Sequence, residues 1–136
     1  MVAATRVVPV RIVAVAGRGL LALLFILAGL AKVLGPQPFL QHMAAFGVPS
    51  FLLPAVIVLE VGAGVALLVG WRLREAAGAL GVFCLLTALV FHHDLGDKAE
   101  RSLFFKDLAL AGGLLAMAAA AEQRRRVDAR PASAGL

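Results

Sequence analysis

Apolar positions in this chain fall into four long blocks separated by short polar or proline-containing breaks. The blocks cover about residues 12–34, 51–70, 76–92 and 103–121. At 1.5 Å per residue, spans of about 16–23 residues reach roughly 24–35 Å, which brackets the hydrocarbon core of a bilayer. No block alternates apolar and polar residues as a barrel strand does. Backbone polar groups cannot be left bare in lipid, so each block is expected to be a helix. The pattern predicts an all-α fold: an integral membrane four-helix bundle forming one domain over residues 1–121. Residues 122–136, basic and then rich in Pro, Ala, Ser and Gly, are expected to form a disordered cytoplasmic tail.

The breaks follow local chemistry. Gly35-Pro36-Gln37-Pro38 ends the first block, because proline removes a donor and pushes its predecessor out of helical space. Residues 39–46 read as a short amphipathic piece near the interface. Gly47-Val48-Pro49-Ser50 reopens the chain, with Ser50 as the expected N-cap and Pro54 tolerated in the first turn. Gly70-Trp71-Arg72-Leu73-Arg74 is expected to be a tight turn with Trp71 at headgroup level.

Composition agrees with lipid as the solvent. Of 136 residues, 62% are apolar before the 14 glycines are added. With glycine the share is roughly 72%, against about 45–50% in an average soluble domain. So short a chain cannot hide that much apolar surface inside one globule. A soluble enzyme, a disordered chain and a disulfide scaffold are all excluded on this ground. The single cysteine, Cys84, can form neither an internal disulfide nor a C-x-x-C pair, and it reads as a small packing residue.

The net charge of +5 is not spread as a nucleic-acid face would be. Arg6, Arg11, Arg18, Arg72, Arg74, Arg124, Arg125, Arg126 and Arg130 fall on one side of the four spans. Lys32, Lys98, Arg101 and Lys106 fall on the other. The positive-inside rule then puts both termini in the cytoplasm, and the long first loop and residues 92–102 outside. The location implied is a membrane with a cytoplasmic face. The first block can also be read as a cleavable leader, with Gly29-Leu30-Ala31 as a small-x-small site. Its length favours a retained span.

Few spans are free of charge, and the interruptions are informative. Residues 76–93 are the cleanest run, at 18 residues, and residues 108–121 give only 14. Glu60 lies nine residues beyond Phe51, about 14 Å into its helix and near the bilayer midplane. A charge there costs at least ~2.5–3.5 kcal/mol, so it must be protonated, paired or facing water. Ala63 and Gly64 lie on its face and Gly62, Ala66 and Gly70 on the adjacent stripe. Small residues mark close helix approach, so Glu60 is expected to point into the bundle. It reads either as a structural hydrogen-bonding group or as a ligand or proton site.

Lys32 and Lys106 lie near the outer ends of the first and fourth helices. Snorkelling to headgroups is one reading of both. The other is that one of them reaches toward Glu60, although the difference in depth argues against direct contact with both. Asp107, in the first turn of the fourth helix, is favoured there by the helix dipole. Arg18 is expected to snorkel to phosphates. His92-His93-Asp94 reads as an interfacial loop or a titratable cluster at the outer mouth. Adjacent histidines diverge on a helix, so no metal site is expected.

Three motifs, taken together, resemble the DoxX family of small four-helix bacterial membrane proteins. The first helix carries Phe25-x-x-Ala28-Gly29-x-x-Lys32. The second carries Glu60-x-x-x-Gly64-x-x-Leu67-x-x-Gly70. The fourth carries Phe104-x-Lys106-Asp107 followed by Gly112-Gly113. The resemblance covers roughly residues 18–117. It implies a membrane partner of oxidoreductases, since the name-giving relatives are linked to quinone-dependent sulfur oxidation. It makes Lys32, Glu60, Lys106 and Asp107 the polar motif positions.

On that basis the candidate ligand is a quinone, in an outward-facing pocket walled by Phe25, Phe104, Phe105 and His92. A partner oxidoreductase or respiratory complex would supply electrons, because the chain carries no haem, flavin or metal motif. A non-catalytic scaffold or assembly subunit is the alternative. A small proton or solute transporter is a third reading, disfavoured by four short helices without an internal repeat.

Overall fold

The computed structural model describes residues 9–131, and within them the fold is helical throughout. There are five helices: α1 (Val10–Leu34), α2 (Gln37–Ala45), α3 (Leu52–Val69), α4 (Leu73–Phe91) and α5 (Lys98–Asp128). All but α2 are long and apolar enough to cross a membrane. Only 11–33% of their most apolar windows is buried, so most of the apolar side chains face outward, where lipid is their solvent. Arg6 and residues 132–136 lie outside the described residues.

The helix ends follow the sequence chemistry with three corrections. Ser50 does not cap α3. The helix starts after Phe51 without a side-chain cap, and the Ser50 carbonyl accepts from Leu53 N–H at 3.1 Å. The fourth span starts five residues earlier than its apolar block. Asp97 Oδ1 accepts from the backbone N–H groups of Ala99 at 2.9 Å and Glu100 at 3.1 Å, which nucleates α5 at Lys98.

The third correction concerns the tail. Helix α5 continues to Asp128, where disorder from residue 122 is expected. Glu122 explains the continuation. It accepts from Arg126 at 2.9 Å, pairs with Arg125 at 3.3 Å on its own helix, and takes Arg74 of α4 at 2.7 Å. These contacts hold the basic turn against the bundle.

Close contacts set the topology. Gly29 of α1 meets Val61 of α3, Gly64 meets Ile26, and Gly70 meets Arg18. The numbers run in opposite directions, so α1 and α3 are antiparallel. Gly81 of α4 likewise meets Ala111 and Leu115 of α5, and Arg74 meets Glu122. The tight turn at Gly70 (φ +79°) makes α3 and α4 antiparallel as well, with Trp71 N–H bonded back to the Ala66 carbonyl at 2.9 Å. The bundle is up-down-up-down, built from an α1–α3 pair and an α4–α5 pair joined through α3 and α4. The core contains Ala22, Phe25, Leu67, Ala77, Leu80, Ala111 and Leu114. Helix α2 lies between the first two spans, with Met43 buried.

Candidate functional site

The site begins with two glycines. A side chain at Gly29 would meet Val61 Cγ2 at 2.5 Å and the Val61 backbone N at 3.4 Å. One at Gly64 would meet Ile26 Cγ1 at 2.9 Å and the Ala22 carbonyl at 3.4 Å. Hydrogen atoms in these places let α1 and α3 approach backbone to backbone. Gly29 precedes Lys32 by three residues, and Gly64 follows Glu60 by four. The close crossing therefore brings these two side chains onto facing surfaces.

Lys32 Nζ lies 2.9 Å from Glu60 Oε1 and donates to Oε2 at 3.2 Å. It also donates to the Ala28 carbonyl at 3.5 Å and sits 4.7 Å above the centre of the Phe39 ring. Glu60 is 2% exposed, the one buried charged side chain among the described residues. Of the expected partners, Lys32 reaches the glutamate directly, and no water or bound group is needed to bridge them. Lys106 does not take part. It lies on the exposed outer side of α5.

A cavity of about 460 Å³ opens beside this pair. That is within the range of small-molecule sites. Its walls come from all five helices. Phe25, Ala28, Lys32 and Glu60 form the α1–α3 side; Phe83, Cys84, Thr87 and Phe91 line it from α4; Asp107 and Leu110 line it from α5. Phe39, His42 and Met43 of α2 cover it. The lining is overwhelmingly apolar, and apart from His42 and Thr87 its polar groups gather at two places. One is the Lys32–Glu60 pair. The other is His92 at the end of α4, whose Nδ1 lies 2.9 Å from Glu100 Oε2 and whose Nε2 lies 3.8 Å from Asp107 Oδ2.

An aromatic and imidazole cluster fastens α2 over the cavity. The His42 ring stacks on Phe91 at 5.0 Å and lies 5.1 Å from Phe46. Phe46 meets Phe91 edge-on at 5.3 Å and His93 at 5.8 Å. Edge-to-face and offset rings of this kind add to what burial alone contributes. The three histidines thus meet at one end of the molecule. No three His, Cys, Asp or Glu side chains come together as a metal set among the described residues.

The sequence-derived site is brought together in part. Phe25, Lys32, Glu60, His92 and Asp107 all line the cavity. Phe104, Phe105 and Lys106 do not. The inward face of α5 is Asp107, Ala111 and Leu114, spaced by four and three residues, which turns Phe105 and Lys106 outward. Phe105 is 56% exposed and packs edge-on against Phe104 at 5.4 Å.

Several lining residues escape a sequence reading. Cys84 was expected only to fill space; it is buried in the core and also forms cavity wall. Thr87 follows it by three residues and His42 sits on the short helix. Their signal is the helical spacing of Cys84, Thr87 and Phe91 on one face of α4.

Comparison with known proteins places this geometry in a family. The DoxX family profile matches residues 13–93, which take in α1 to α4 with Lys32 and Glu60 but not the motif on α5. The chain is 43% identical over 101 residues to the inner membrane protein YqjF of Escherichia coli (strain K12), covering 74% of this chain and 78% of that protein. It is 34% identical over 103 residues to the inner membrane protein YphA of the same organism, covering 71% and 74%. No solved structure matches it. With four spans of membrane-crossing length, it is a multi-pass protein of the bacterial inner membrane. The chain belongs to the DoxX family.

Proposed function

We propose that this protein is the membrane subunit of a quinone-linked oxidoreductase system and holds a quinone headgroup in the cavity walled by all five helices. One observation carries the reading: an apolar, aromatic-lined cavity of about 460 Å³ holds a satisfied Lys32–Glu60 pair on one wall and His92 with Asp107 on another. A flat apolar ring with polar oxygens suits such a lining. Lys32 Nζ would donate to a ligand oxygen in exchange for its long 3.5 Å contact with the Ala28 carbonyl. Glu60 and Asp107 are placed to hold protons, and the His92–Glu100 contact connects the cavity to the bundle end. The distribution of arginines supports an orientation with the cavity mouth outside and both termini in the cytoplasm. Electrons would reach the site from a partner oxidoreductase or respiratory complex.

A scaffold role is the second reading, and a specific observation favours it. Lys32 and Glu60 satisfy each other at the tightest crossing of the bundle, so the pair pins α1 to α3 without a ligand.

Purification in mild detergent without stripping lipid, followed by extraction of small molecules and identification of co-purifying proteins, separates the two readings. Bound quinone that is lost in Glu60→Gln or Asp107→Asn supports the first. A stable protein partner without quinone, unchanged in both variants, supports the second.

A further inference from the structure

The opposite end of the bundle carries a second site, independent of the cavity. A groove of about 350 Å³ lies between the α3–α4 turn and the last turns of α5, with Arg72, Arg74, Glu75, Arg124, Arg125 and Asp128 along it. Four guanidinium groups against two carboxylates leave it positive. The cations are not equivalent. Arg74 is held by Glu75 at 2.9 Å and Glu122 at 2.7 Å, and Arg125 by Glu122 at 3.3 Å. Arg72 and Arg124 form no ion pair among the described residues.

Two further observations call for an anion there. Arg72 adopts a left-handed backbone conformation (φ 47°, ψ 51°), the one non-glycine residue with positive φ among those described. Glycine would take that conformation without strain, as Gly70 does two residues earlier. Strain retained at a charged residue is a mark of function. The second observation is Arg18. Its guanidinium packs against Gly70, a groove residue, and its buried Nε has no hydrogen-bond partner. That Nε is sealed from the groove, but the terminal nitrogens of the same guanidinium lie beside Gly70 and add to the positive field at the groove's end. Trp71, 63% exposed beside Arg72, marks this end as the headgroup level of the bilayer.

We propose that this groove binds a phosphate oxyanion through Arg72 and Arg124. The phosphate comes either from the headgroup of an anionic phospholipid or from free inorganic phosphate.

Native mass spectrometry of the full chain in detergent, titrated with phosphatidylglycerol or phosphatidylcholine, tests this. The wild type retains phosphatidylglycerol in preference, and each free arginine removed lowers the preference about fivefold. Arg72→Gly is the decisive variant. It relieves the backbone strain, so it unfolds at the same or a higher temperature, yet it loses lipid preference; Arg124→Gln loses preference likewise. Arg101→Gln, at the other end of the bundle, loses none.

A second arm adds excess inorganic phosphate. Displacement of phosphatidylglycerol by phosphate, with the same dependence on Arg72 and Arg124, identifies free phosphate as an occupant of the site. Retention of the lipid identifies the headgroup as the source. Equal retention of the two lipids without phosphate binding, or a preference that survives Arg72→Gly and Arg124→Gln, overturns the proposal.

Discussion

The Lys32 ammonium of α1 lies within 3.2 Å of both carboxylate oxygens of Glu60 on α3, and only 2% of Glu60 is exposed. A pair this well enclosed makes each partner depend on the other. Removing one leaves the other charge desolvated and uncompensated, at a cost of about 3–5 kcal/mol. Lys32→Met and Glu60→Leu are each expected to destabilise the folded protein by that order. The double variant should recover most of the loss, because two apolar side chains can replace a buried pair. Unfolding by denaturant in mild detergent, read as a double-mutant cycle, measures the coupling. A coupling below about 1 kcal/mol would equal that of a solvated surface pair and would refute enclosure.

The glycines of the bundle should divide sharply. Gly29→Ala drives a methyl group into Val61, whose branched side chain has little freedom to move, and toward the Val61 backbone. The expected loss is about 1–3 kcal/mol, because the Lys32–Glu60 register shifts with it. Gly62, Gly112 and Gly113 have nothing within 4 Å of an added methyl. Alanine there is expected to be neutral or to stabilise by up to about 1 kcal/mol through helix propensity. Thermal unfolding of the four single variants orders them. Equal costs at Gly29 and Gly62 would show that the two backbones do not meet at Gly29.

What the sequence disclosed and what it hid have physical causes. The four spans and their breaks were legible because bilayer thickness fixes span length, because Gly35-Pro36 ends the first helix and because Gly70 turns the chain after α3. Glu60 was legible as inward-facing because a midplane charge is costly and small residues flank it. Its partner was narrowed only to Lys32 or Lys106. The depth argument allows Lys32 four methylenes of reach but not the closeness that Gly29 grants. On α5, apolar residues surround the helix, so no amphipathic stripe separates Asp107 from Lys106 or Phe105. The early start of α5 was written in Asp97-x-x-Glu100, an N-terminal capping pattern in a segment that polarity marked as loop. The helical continuation past residue 121 has a local signal, Glu122 followed at three and four residues by Arg125 and Arg126, and a non-local one in Arg74, 48 positions away from Glu122.

Neighbouring motif residues on α5 should differ in effect. Asp107 lines the cavity and faces His92, whereas Lys106 points outward. Asp107→Asn keeps the shape but removes the carboxylate. If a quinone occupies the cavity, the variant should retain about 2–10-fold less of it, the worth of one hydrogen bond. Lys106→Met is expected to leave retention unchanged. Quinone extracted per mole of purified protein gives both values. A larger loss in Lys106→Met than in Asp107→Asn would place the site on the outer face of α5 and not in the cavity.

Cys84 offers a direct probe of the same space. Its side chain is 2% exposed and lies among core residues, yet it forms part of the cavity wall beside Phe83 and Thr87. A thiol sealed in a core is inert to reagents until the protein unfolds. A thiol in a cavity wall is reached by a compact reagent that fits the cavity. N-ethylmaleimide is therefore expected to label Cys84 in the folded protein, while a maleimide carrying a long polymer labels it only after denaturation. Added short-chain quinone should slow the small reagent in proportion to its occupancy, because ligand and reagent compete for one volume. Mass spectrometry of the intact protein over a time course follows both reactions. Identical rates with and without quinone would mean that the ligand lies elsewhere. Labelling by the polymer reagent at the same rate as by the small one would mean that Cys84 is not enclosed by α2 and α4 at all.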